Sequence, residues 1–223
     1  MSATVINDSE SRPTPAAARD EAAPGAEPAV AVMIVDDDRA ASYSLWALLN
    51  WQPGIRICAT ASSAVEAVKL VRRRKPGVCL VSAALEAGEG VHPARRLMEL
   101  PEPPRVILYA DRLGRELEAV AAITGAAGAV GRYGDPGQLA CTIRRTAAGE
   151  HGLPTVSANA IGELIDLVEG HDRPIATMLL QRISPDEIAR TLGISGSNVR
   201  TRRGEILKRL EQSCFVTATT GGR

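Results

Sequence analysis

The chain has 223 residues, and its 26 Lys and Arg offset 26 Asp and Glu. That length allows one or two domains, and 45% hydrophobic residues is a globular content. With aromatics at only 3%, a core must come from Ala, Val, Leu and Ile, which argues against stacking platforms for single-stranded nucleic acid; zero net charge excludes a uniformly basic coat but not local patches.

Met1 to Pro28 is rich in Ala, Pro and Ser, with two basic residues (Arg12, Arg19) against five acidic ones (Asp8, Glu10, Asp20, Glu21, Glu27). It shows no periodicity and no basic-then-apolar leader, so residues 1–28 read as a disordered acidic tail. Val30 to Val35 is a short apolar run closed by Asp36, Asp37 and Asp38, and predicts a buried strand. Arg39 to Asn50 carries Ala41, Leu45, Leu48 and Leu49 at helical spacing. After the turn at Pro53-Gly54, Ile55 to Ala59 predicts a second strand. Ser62 or Ser63 can cap a helix whose apolar face is Val65, Val68 and Val71. Pro76-Gly77 breaks it, and Val78 to Val81 predicts a third strand. Val91 to Leu100 is helical and is stopped by Pro101, Pro103 and Pro104. Arg105 to Tyr109 predicts a fourth strand. Leu113 to Ile123 predicts a helix with Leu113, Leu117, Val120 and Ala121 facing in. A Gly125-Ala-Ala-Gly128 turn leads to a short fifth strand at Ala129-Val130. Asp135 caps a last helix that starts at Pro136 and reaches about Ala148. Strands alternating with helices predict a parallel sheet covered on both faces, with its site at the carboxyl ends of the strands.

Beyond Pro154 the pattern is wholly helical. Leu164, Ile165 and Val168 mark one helix, and Ile175, Met178 and Leu179 a second. Pro185 to Leu192 and Asn198 to Leu210 give two more. In the first of these Ser184 can cap, Pro185 suits the first turn and Glu187 holds the capping-box position. Ile188, Ala189 and Leu192 form its packing face. Gly193 allows the left-handed turn, and Ser195 caps the next helix. This is a helix-turn-helix. Asn198, Arg200, Thr201 and Arg202 project from the start of the second helix, where backbone amides and Arg side chains suit phosphate and guanine. Between Ile188 and Gln212 six basic residues (Arg190, Arg200, Arg202, Arg203, Lys208, Arg209) face two acidic ones (Glu205, Glu211), so the neutral total hides a segment of net charge +4.

The four cysteines, Cys58, Cys79, Cys141 and Cys214, are widely spaced, which disfavours a zinc site. Cys58 and Cys79 fall in strand-like runs and read as buried free thiols. No run approaches the roughly 18–20 apolar residues of a membrane span. A reduced, cytoplasmic protein without cofactor or metal is expected, and no catalytic constellation is visible.

The carboxyl-terminal segment resembles the LuxR-type DNA-binding domain of NarL/FixJ response regulators. The matching residues are Ile183-Ser184, Glu187-Ile188-Ala189, Leu192-Gly193-Ile194-Ser195, Val199-Arg200-Thr201 and Ile206 to Leu210. The resemblance implies a recognition helix from Asn198 to Leu210, with DNA contacts from Ser195, Asn198, Arg200, Thr201, Arg202, Arg203 and Lys208. Two residues depart from the pattern. Pro174 falls where an ordinary residue of the family's first helix is usual. Arg203 replaces an apolar residue, and either snorkels or adds a phosphate contact. The motif is also similar to region 4 of sigma factors.

The strand order, the acidic cluster and the Gly-Ala-Ala-Gly turn look like a receiver domain. The fold expected is therefore α/β: a five-stranded parallel-sheet, flavodoxin-like receiver at 29–149, a linker at 150–158, an all-α helix-turn-helix domain at 159–214, and a flexible tail at 215–223. Receivers take phosphate on an Asp ending the third strand, beside an acidic pair that helps hold Mg²⁺, a Thr or Ser ending the fourth strand and a Lys ending the fifth. Here Asp36 and Asp37 match the pair, with Asp38 as a substitute. Ser82 falls at the acceptor position, Tyr109 at the Thr/Ser position and Arg132 at the Lys position. A Ser hydroxyl without a base is a poor acceptor, and losing a carboxylate weakens a hard-cation site. Arg132 is expected to pair with Asp36 or Asp37. Rescue by Glu86 would need a shifted strand end.

The leading expectation is a transcriptional regulator acting without aspartyl phosphorylation. The resemblance implies a homodimer on double-stranded DNA, with α4–β5–α5 (near 113–123 and 138–148) as dimer face. It also implies control by a small-molecule ligand, a partner protein or RNA polymerase. A two-component phosphoprotein using a non-standard acceptor, and a sigma-like or protein-interaction module, are the alternatives.

Overall fold

The structure, a computed structural model, describes residues 29–83, 91–150 and 158–215. The expected acidic tail (1–28), Glu86, most of the linker and residues 216–223 lie outside it. Five strands form one sheet in the order β2-β1-β3-β4-β5, with every pairing parallel. They are β1 (Val30–Val35), β2 (Ile55–Ala61), β3 (Val78–Ser82), β4 (Arg105–Ala110) and β5 (Gly128–Gly131). The helices between them are α1 (Arg39–Asn50), α2 (Ala64–Arg74), α3 (His92–Met98), α4 (Arg115–Thr124) and α5 (Pro136–Ala147).

Alternation along the strands builds two apolar layers. Val32, Ile34, Leu80 and Ile107 pack with Leu45 and Leu49 of α1 and Leu139 and Ile143 of α5. Met33, Val35, Val81 and Leu108 face the other way, onto α2, α3 and α4. Aliphatic side chains supply nearly all of this core. Tyr109 is the exception, a fully buried aromatic.

Local chemistry explains the helix ends. The Asp38 carboxylate accepts from the Ala40 and Ala41 amides at 2.8 and 3.2 Å and starts α1. Ser63, rather than Ser62, caps α2 through the Glu66 amide. Asp135 caps α5 through Gly137 at 3.0 Å. Gly125, at φ +83°, closes α4 in a left-handed turn that a side chain would strain.

Some sequence expectations shift. The buried stripe of α2 is Ala64, Ala67 and Val71, and Val65 is exposed. Val65 lies one residue, about 100° of helix, away from that stripe. Leu113 precedes α4 and is half-exposed, because the helix begins only at Arg115. Cys79 is buried, with its thiol pushed up by burial, whereas Cys58 is half-buried.

Four further helices follow: α6 (Ala158–Ile165), α7 (Arg173–Leu180), α8 (Pro185–Leu192) and α9 (Gly196–Phe215). Pro174 falls in the first turn of α7, where its missing amide costs nothing. It therefore does not interrupt α6. Ser184 caps α8 through the Glu187 amide, and Gly193 ends it at φ +65°. Ile188, Val199, Ile206, Leu207 and Leu210 are buried among α7, α8 and α9, and Leu192 stays partly exposed. The helical half also packs on the sheet half, as α4 contacts α6, α7 and α9. That covers much of the α4 side of the expected dimer face.

Candidate functional site

In an open parallel sheet of this order, chain crossings diverge between β1 and β3, and a crevice opens at their carboxyl ends. Parallel register brings the expected residues there. Val35 lies beside Val81, Ser82 beside Tyr109, and Tyr109 beside Val130. Asp36 follows β1, and Arg132 follows β5.

Asp36 is buried and both its oxygens are engaged. Oδ1 accepts from the Asp38 amide at 3.0 Å. Oδ2 accepts from the Tyr109 hydroxyl, which reaches across the end of the sheet. Burial raises the Asp36 pKa above its ordinary value, against the lowering pull of Tyr109 and the Asp38 amide. Asp37 and Asp38 add repulsion in the same direction as burial. The Tyr109 pKa is raised too, first by burial and then by its bond to Asp36. Burial and this bond together disfavour ionisation of the phenol.

Ser82 is buried at the end of β3. Arg132 lies nearby but does not form its ion pairs with Asp36 or Asp37. It pairs with Asp111, approaches Asp38 at 4.0 Å, and stacks its guanidinium over the Tyr133 ring at 4.9 Å. The reason is that Tyr109 already occupies the inner carboxylate. Asp111, one residue past β4, was absent from the expected set. The β4-end position of Tyr109 points to it, since the next loop must sit beside the β5 end.

The helix-turn-helix residues divide into two groups. Ser195 accepts from the Asn198 amide at 3.1 Å and sits 2.9 Å from the Ser197 hydroxyl. Arg200, Thr201 and Lys208 are exposed, and neither Arg200 nor Lys208 is in an ion pair among the described residues. Arg202 is tied down: it donates to Asn198 at 2.9 Å and to the buried Asp172 at 2.6 Å. It braces α9 against the start of α7. Arg203 neither snorkels to water nor lies free for phosphate. Its guanidinium donates to the Thr124 carbonyl at the end of α4. Burial, then the nearby Arg95, lower its pKa to about 10. Its Nε and the Thr124 hydroxyl are buried without partners.

Asp172 escaped the sequence reading, and only a buried acid opposite an Arg could have signalled it. With Glu169 and His171 it forms a cluster of potential metal ligands among the described residues. Arg202 and Arg209 already neutralise its two acids, so it reads as an ion-pair network.

A model of the response regulator receiver domain matches residues 32–144. Transcriptional regulatory protein UhpA of Salmonella typhimurium is 24% identical over 182 residues, covering 81% of this chain and 91% of that protein. A solved two-component response regulator of the LuxR family from Aurantimonas sp. is similar with a TM-score of 0.52 and 26% identity, across 63% of this chain and 99% of its own. RcsB from Salmonella enterica serovar Typhimurium, solved bound to promoter rprA with BeF3⁻, has a TM-score of 0.52 and 14% identity over 81% of this chain and 92% of its own. At that identity the likeness is one of fold. No described helix is long and apolar enough to cross a membrane. Since the receiver match takes in just over half of the sequence and the β2-β1-β3-β4-β5 sheet with its crevice lies within it, the protein belongs to the response regulator receiver family.

Proposed function

We propose that the protein is a DNA-binding transcriptional regulator of the NarL/FixJ type whose receiver works without conventional aspartyl phosphorylation. The observation that carries this reading is the Tyr109 hydroxyl seated on Asp36, in a crevice where β3 ends in Ser82. An acyl phosphate needs a carboxylate nucleophile, and the β3 edge offers a hydroxyl in its place. Mg²⁺ binding needs several free oxygen donors. Both Asp36 oxygens are engaged, and β3 ends in the hydroxyl of Ser82 in place of a carboxylate, which weakens the site for a hard cation. Tyr109, fully buried at the end of β4, is also larger than the Thr or Ser that the receiver pattern carries there.

Two functional units follow, a pseudo-receiver at 29–149 and a DNA-binding unit at 159–214, joined by a linker at 150–158. Helix-turn-helix geometry and exposed Arg200, Thr201 and Lys208 support contact with double-stranded DNA. UhpA, by its name a transcriptional regulator, is matched over both units. A homodimer on paired half-sites is the assembly proposed. A ligand, a partner protein or RNA polymerase supplies the regulatory link that phosphate supplies elsewhere.

A genome-wide binding map of the full chain tests the reading. Wild type and Ser82→Ala should occupy the same set of paired sites, and Arg200→Ala should lose them. Sites lost in Ser82→Ala, or a wild type without salt-sensitive specific binding, would overturn it.

A further inference from the structure

The sheet half carries a basic surface of its own. Lys69, Arg72, Arg73, Arg74 and Lys75 are all exposed at the end of α2. None of them is in an ion pair among the described residues. Glu66, the one acid on the helix, faces Ser62 instead, accepting from its amide at 2.8 Å and its hydroxyl at 2.9 Å. A helix C-terminus favours cations, but that effect fades within one turn, and it does not call for five of them in seven residues. Arg56, exposed at the start of β2, extends the surface. A shallow groove along α2 is lined by the exposed Val65, by Leu70, by Ser63 and Glu66, and by the cations Lys69, Arg72 and Arg73.

The chain enters the fold at the same edge. The Val30 amide donates to Gly54 at 2.9 Å, and the Gly77 amide donates to Ala31 at 2.9 Å. Ala31 is in register with Arg56. Residue 29 therefore starts between the strand carrying Arg56 and the one that begins just after Lys75. Immediately upstream are Glu27, Glu21 and Asp20, within residues 1–28 of net charge −3. At about 3.3–3.6 Å per extended residue, these acids reach the end of α2 easily.

We propose that the segment 1–28 docks on this surface, its acids on the α2 and Arg56 cations and its aliphatic residues over the Val65–Leu70 groove. Tethering supplies the affinity: an attached segment acts at roughly millimolar effective concentration. Each exposed pair contributes little and is screened by salt, so docking depends on several pairs at once. The docked segment is an internal polyanion that keeps this surface from competing anions, including DNA phosphate.

Amide chemical shifts of the full-length ¹⁵N-labelled chain test this, comparing wild type with the triple variant D20N/E21Q/E27Q. At about 20 mM salt the resonances of residues 69–75 and 56 should differ between the two. The difference should vanish near about 0.5 M salt, where the Debye length falls to a few ångströms. A random-sequence DNA duplex should saturate the α2 resonances at roughly fivefold lower concentration in the variant. Unchanged α2 amides, or differences that survive high salt, overturn the proposal. Equal duplex binding in both proteins makes DNA the occupant, and shifts that grow with protein concentration make a second copy the occupant; both outcomes overturn it.

Discussion

At Asp36 burial raises the carboxyl pKa from an ordinary 3.8, and the Tyr109 bond opposes this only in part. Between the ordinary and the raised value the folded state binds more protons than the unfolded chain. Stability from this group is therefore present on the acid side and is lost as pH rises through the folded value. Asp36→Asn should raise the melting temperature at about pH 7, and the gain should shrink as pH falls toward the ordinary value. Asn still offers an acceptor to the Asp38 amide and a donor to the Tyr109 oxygen. Tyr109→Phe should act in the opposite direction, since it leaves a buried carboxylate oxygen without its donor. A loss of about 1–3 kcal/mol is expected, at about 2–4 °C per kcal/mol for a chain of this size. Thermal melts of both variants across pH check the pair. An Asp36→Asn protein that is less stable at neutral pH would contradict this account of the pocket. Asp36, Ser82, Tyr109 and Arg132 were all legible from sequence as one crevice, because strand ends are fixed by apolar runs. Their bonding was not legible, because it depends on which side chain reaches Asp36 first in space.

Helix α9 shows the same limit at the next scale. Its start was readable from the Ser195 cap and the Gly193 turn, which are local chemistry. The roles of its cations were not, because Asp172 and Thr124 are 30 and 79 residues away in sequence. Arg203 marks the surface through which α9 rests on α4. Gly204 lies beside it, where an added Cβ would meet Arg95 of α3 at 3.2 Å. A part-buried cation with an unpartnered Nε makes this contact weaker than an apolar one of the same size would be. Arg203→Leu should therefore firm the contact, leaving stability unchanged or about 1 kcal/mol higher. Its DNA affinity should keep the wild-type salt slope, whereas Arg200→Ala should reduce that slope by about 1. Salt titrations of duplex binding check this. A Leu variant whose slope falls by about 1 would place Arg203 on phosphate instead.

Across the whole molecule, charge is distributed by edge rather than by half. In the sequence the basic excess that stands out is the net +4 between Ile188 and Gln212, at the recognition helix. The fold gathers a second basic surface at the end of α2, beside the entry of the acidic segment. Topology was legible, since apolar runs mark the strands and local caps such as Ser63, Asp135, Ser184 and Ser195 mark several helix starts. Contact between the two halves was not, because α4 reads as an ordinary amphipathic helix. In the structure both of its sides are covered, one by the sheet and the other by α7 and α9. The central claim is that this assembly responds to something other than phosphate. Intact-mass measurement of the full chain after incubation with acetyl phosphate and Mg²⁺ tests it most directly. The account predicts an unchanged mass. A stoichiometric phosphoryl adduct, lost in Ser82→Ala, would contradict it.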